Sequence, residues 1–96
     1  MTSEFSSPRL GVVCCGYVFR RERSVRLVSH EEDGWQFLCG GVDHFGSKDG
    51  NLIMIRILLG FDPTLAEVAD LPVGWEAERK DQGSSWMRTR SNTQSN

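Results

Sequence analysis

Cys14, Cys15, Cys39, His30 and His44 are the side chains best suited to hold a metal or attack a substrate. Zinc takes four tetrahedral ligands, most often from Cys-x2–4-Cys or His-x3–5-His pairs. Neither spacing occurs here. Cys14 and Cys15 are adjacent in a segment that reads as a strand, where neighbours face opposite ways and cannot share one ion. The thiols therefore read as small buried hydrophobes, and no metal or other cofactor is expected. As a nucleophile, Cys39 needs a base or positive field, and His44 or His30 is its candidate partner. That pair defines one alternative, a small thiol-dependent enzyme using Cys39 and His44. Burial in an apolar strand works against it by disfavouring the thiolate. No catalytic residue is assigned.

The carboxylates form two groups. Glu31, Glu32 and Asp33 fall in a polar turn, and Asp43, His44 and Asp49 in a glycine-rich loop. A carboxylate serves as a general acid when burial or a like charge raises its pKa, and a solvated turn supplies neither. These six residues are the candidate partner-binding surface, because turn acids complement a basic face. Glu76 and Glu78 lie on one face of the last expected strand, with Arg79, Lys80 and Arg56 as their expected ion-pair partners. Arg20, Arg21, Arg23 and Arg26 offer a second alternative, a regulatory nucleic-acid contact through phosphate neutralisation. Glu22 interrupts them and no aromatic platform accompanies them, so they read as a solvated hairpin tip. Trp35 is expected in the core; Trp75 and Trp86 are candidates for either core or surface anchors.

The elements that must position these groups belong to one domain of 96 residues. Apolar residues make up 39% and charged residues 25%, with a formal charge of −2 that gives no global attraction to nucleic acid or anionic membrane. No apolar run approaches the roughly 20 residues a spanning helix needs. Met1 to Pro8 lacks a basic-then-apolar pattern, so no secretory signal is expected. Three cysteines without a signal fit a reducing, cytoplasmic setting.

Residues 1–9 read as a flexible segment, 10–87 as the single domain and 88–96 as a disordered polar tail. Val12 to Phe19 is β-branched and aromatic and reads as a buried first strand. After the arginine turn, Val25 to Ser29 reads as its hairpin partner, and Trp35 to Cys39 as a third strand with Trp35, Phe37 and Cys39 on one face. Asn51 to Gly60 reads as a short extended start passing into a helix that ends at Gly60. Asp62 caps, and Pro63 opens, a short helix over 64–71. Pro72-Val73-Gly74 stops it, and Trp75 to Arg79 is a last strand before a turn and Trp86. The expected fold is α+β, a small antiparallel sheet of about four to five strands with one or two short helices on one face. An uncovered sheet edge also makes a homodimer an expected mode of association.

The series Gly34-Trp35-x-Phe37, Gly40, Asp62-Pro63, Pro72-x-Gly74 and Glu78-Arg79, closed by Trp86, resembles the immunity protein 33-like family of bacteria. The resemblance spans roughly Val12 to Trp86 and implies a small α+β fold with no known catalysis. It further implies that the chain neutralises a partner, such as a toxin, by direct contact. Where family members often carry a Gly-Asp-Glu-like stretch, this chain has Gly40-Gly41-Val42-Asp43-His44. A different partner is the expected consequence.

Overall fold

The computed structural model describes residues 10–40 and 50–90. The candidates Asp43, His44 and Asp49 and the segments 1–9 and 91–96 lie outside the described residues. In chain order come β1 (Gly11–Cys14), α1 (Gly16–Phe19), β2 (Leu27–Glu31), β3 (Gly34–Leu38), β4 (Asn51–Met54) and α2 (Ile55–Phe61). A 3-10 helix (Pro63–Val68), β5 (Trp75–Glu78) and β6 (Met87–Arg90) follow. The chain is α+β, and the described strands form one six-stranded sheet in the order β4-β1-β3-β2-β5-β6.

The described residues form three short helices rather than one or two, and two expectations about the sheet also change. The sheet exceeds four to five strands, and it is mixed rather than antiparallel, because β1 runs parallel to β3 with Cys14 opposite Phe37. The chain between β1 and β2 supplies the reason. Its twelve residues, 15–26, include α1 and suffice to cross the sheet, whereas a hairpin needs only a tight turn. The β2–β3 hairpin then returns the chain beside β1.

The expected first strand also divides. After Cys14 the apolar run turns into α1, which buries Val18 in the core although valine and tyrosine are weak helix formers. Packing overrides propensity there. The helix closes with Arg21 N–H donating to the Val18 carbonyl and Glu22 N–H to the Tyr17 carbonyl, at 3.0 and 2.8 Å. Arg21 occupies the left-handed position of this cap, φ 63°, where glycine is usual.

β6 reaches into the segment expected as a tail. Met87 to Arg90 pairs along β5, with Thr89 opposite Glu76 and Arg90 opposite Trp75. An edge strand needs a neighbouring ladder rather than apolar side chains, and polar residues suit an exposed edge. Arg88 secures it through an ion pair to Asp70 at 2.8 Å and a hydrogen bond to the Glu67 carbonyl at 2.7 Å.

The strand-to-helix passage expected over Asn51 to Gly60 is present as β4 and α2, extended by one residue to Phe61. Asp62 does cap the following helix, its carboxylate accepting the Thr64 N–H at 3.1 Å. That helix is 3-10 over Pro63–Val68, rather than α-helical over 64–71. Leu65 and Val68, three residues apart, match a repeat of three per turn and are both fully buried.

The register sorts the sheet into two faces. Val12, Cys14, Phe37, Val28 and Ala77 share the covered face and pack with Val18, Ile55, Leu58, Leu65 and Val68 from the helices. Trp35 and Cys39 belong to the same core, as alternation along β3 requires. The opposite face carries Val13, Leu52, Leu38, Leu27, Glu76 and Glu78.

The β2–β3 turn depends on Gly34, whose φ of 141° is a conformation reserved almost entirely for glycine. A methyl group there would meet nothing within 4 Å, so its cost is purely one of backbone. Gly34→Ala is expected to destabilise the domain by about 1–3 kcal/mol in urea unfolding. A change under about 0.5 kcal/mol would contradict this reading of the turn.

Candidate functional site

The expected partner-binding residues that are described occupy the end of the β2–β3 hairpin. Glu32 and Asp33 form its two-residue loop and are exposed. Glu31, the last residue of β2, is half-buried on the open face, where its carboxylate accepts the Ser29 hydroxyl at 2.6 Å. The β2–β5 register sets Ser29 opposite Glu76 and Leu27 opposite Glu78. Glu76 and Glu78 therefore stand on the same open face as Glu31. Together these acids form one row that ends at the hairpin loop. Sequence spacing shows that Glu76 and Glu78 share a face, but only the long-range β2–β5 pairing joins them to the turn.

Below the loop the chain is packed and hydrogen-bonded. His30 Nδ1 lies 2.6 Å from the Leu71 carbonyl, which only accepts, so this nitrogen carries the proton. The imidazole stacks on Trp35 with centroids 3.8 Å apart, and the Gly74 N–H donates to the His30 carbonyl at 2.8 Å. His30 is thus built into the core and into β2, which runs two residues beyond the strand end expected at Ser29. Pro72 and Val73 are exposed, in the turn that precedes β5.

Arg79 does not pair with the strand glutamates. Its side chain is fully buried, 0% exposed, and its Nη2 contacts the Asp62 carboxylate at 2.6 Å. Nη1 donates to the Thr64 hydroxyl at 2.8 Å and Nε to the Val25 carbonyl at 3.0 Å. The Thr64 hydroxyl in turn donates to Asp62. The guanidinium lies over the Trp86 ring, 4.2 Å from its centroid. Asp62, Arg79 and Trp86, three separated members of the sequence series, thus meet in one structural network. Burial alone would raise the Asp62 carboxyl, but hydrogen bonds from Thr64 and Arg79 and the Arg79 charge outweigh it and hold the group below its ordinary range.

The arginine turn is likewise engaged with protein. Arg23 and Arg20 stand over the Tyr17 ring at 3.8 and 5.5 Å, and Arg21 over Phe61 at 3.9 Å. Arg26 donates to the Cys39 and Lys80 carbonyls at 3.1 and 3.2 Å. These contacts spread the guanidiniums over different surfaces instead of aligning them along a phosphate backbone. Arg21, Arg23 and Ser24 rim a cleft of about 240 Å³ floored by Val18, Val25, Leu58 and Leu65.

Cys14, Cys15 and Cys39 are thiols rather than disulfides, and all are buried. Cys15 lies just beyond β1 as the residue before α1, so it is not on the opposite face of a strand from Cys14. His44, the partner expected for Cys39, lies outside the described residues. Among the described residues no three or more His, Cys, Asp or Glu side chains gather to hold a metal ion. No described helix is long and apolar enough to cross a membrane. No protein-family model, curated protein or solved structure matches this chain.

Proposed function

We propose that this chain is a non-catalytic bacterial protein-binding module that neutralises a partner by stoichiometric contact. The observation that carries this reading is the acidic row Glu31, Glu32, Asp33, Glu76 and Glu78, which runs along the open sheet face and ends at the hairpin loop. Carboxylates held on a rigid sheet attract a basic face from a distance and fix its orientation on arrival. Val13, Leu27, Leu38 and Leu52 continue the same face and supply apolar area for the contact. The resemblance to immunity protein 33-like proteins supports a toxin as the partner, met in the cytoplasm.

The test is calorimetric titration with the purified product of the gene adjacent to this one. An equimolar complex is expected. The paired reversal Glu32→Lys with Asp33→Lys is expected to slow association at least about tenfold at low salt. Its unfolding midpoint should barely move, since exposed substitutions shift stability by about 0.5 kcal/mol or less. Absence of a complex, or a complex indifferent to the reversal, contradicts the proposal.

A further inference from the structure

The cleft of about 240 Å³ beside α1 lies on the helix side of the sheet, away from the acidic row. Its floor is aliphatic, since Val18, Val25, Leu58 and Leu65 all belong to the buried core. Such a floor offers a ligand no hydrogen bond and favours an apolar body.

The charged residues lining the cleft are Arg21, Glu22, Arg23 and Asp62. Glu22 pairs with Arg20 at 3.2 Å, and Asp62 with Arg79 at 2.6 Å. Arg23 lies over the Tyr17 ring at 3.8 Å and reaches the Cys39 sulfur at 3.7 Å. Arg21 differs from these. Its guanidinium lies over the Phe61 ring, and among the described residues no hydrogen bond or ion pair takes it up. A ring face attracts the cation but has no lone pair in the guanidinium plane. The fork of N–H donors is therefore left for a carboxylate.

The backbone adds a second observation. Arg21 sits at φ 63°, in the left-handed cap position that glycine fills without strain. What arginine contributes at this position is its side chain, set on the wall of the cleft.

We propose that this cleft binds a small aliphatic monocarboxylate, its carboxylate paired with Arg21 and its chain laid on Val18, Val25, Leu58 and Leu65. One guanidinium matches one carboxylate. Glu22 on the same wall disfavours a more highly charged anion such as a phosphate dianion. The volume admits only a short chain.

Titration of full-length protein with sodium hexanoate, followed by methyl NMR, tests this. The methyl signals of Val18, Val25, Leu58 and Leu65 should shift and saturate, with a Kd of about 1 mM or tighter. Hexan-1-ol keeps the chain and acetate keeps the charge; each should bind at least about tenfold more weakly. Arg21→Gly should weaken hexanoate at least about tenfold while the urea midpoint stays level or rises, because glycine suits this backbone. Arg21→Asn, whose side chain also tolerates the left-handed region, should lose hexanoate to the same extent. The Glu32→Lys, Asp33→Lys variant should bind hexanoate as the parent does, which keeps this site separate from the partner surface. No saturable binding, hexan-1-ol as tight as hexanoate, an Arg21→Gly or Arg21→Asn affinity equal to the parent's, or shifts that miss the four floor residues would overturn the proposal.

Discussion

Arg79→Met should lower the free energy of unfolding by about 3–5 kcal/mol, the usual cost of removing one partner from a buried ion pair. The substitution leaves the Asp62 carboxylate inside the domain without its guanidinium, and it uncovers the Trp86 ring. A domain of this size has only about 5–15 kcal/mol in total, so the loss should appear as a large fall in the urea midpoint. Adding Asp62→Asn should recover a substantial part of it. The amide keeps an oxygen for the Thr64 N–H and removes the unpaired charge. If the single variant matches the parent, the network does not hold the domain together.

The same pair predicts the acid behaviour. The folded-state pKa of Asp62 is depressed, so its contribution is complete above the unfolded value of about 3.9 and disappears as pH falls through the lower folded one. The parent should therefore lose stability below about pH 4, and Asp62→Asn protein should show a flatter profile in that window. Urea midpoints measured at several pH values from neutrality downward separate the two cases.

Trp35→Ala is the second large effect, expected at about 3–5 kcal/mol from lost apolar contact and the cavity left behind. Trp35 is 2% exposed, stacks against His30 and lies 6.2 Å from Phe37, and both neighbours are held in strands that keep them from filling the space. It also supports the hairpin whose loop holds Glu32 and Asp33. Loss of partner binding in this variant should therefore track loss of folded protein. By contrast, the acidic-turn reversal should lose binding while staying folded. That contrast separates scaffold from recognition surface.

Local chemistry alone makes several elements legible in the sequence. Asp62-Pro63 announces a capped helix because one side chain accepts the free N–H and the other lacks an N–H. Trp35, Phe37 and Cys39 fall at every second position of a strand, so their common face follows from the strand period alone. The rest depends on pairings between distant segments. Nothing within Val12 to Phe19 shows that the run turns after Cys14, since strand and helix readings of a short apolar run look alike. Met87 to Arg90 has no apolar pattern, and becomes a strand only because β5 offers its edge. Arg79 meets Asp62 instead of Glu76 or Glu78 because it follows Ala77 on the covered face, while the two glutamates alternate onto the open one. The same kind of long-range pairing joins Glu76 to the acidic turn.

The measurement closest to the central claim is the association rate with the adjacent gene's product as a function of ionic strength, for the parent and for the Glu32→Lys, Asp33→Lys variant. A carboxylate surface that steers its partner predicts a steep decline with salt in the parent and a much flatter, slower rate in the variant. Two parallel curves of equal rate would contradict it, and would move the recognition surface away from this end of the sheet.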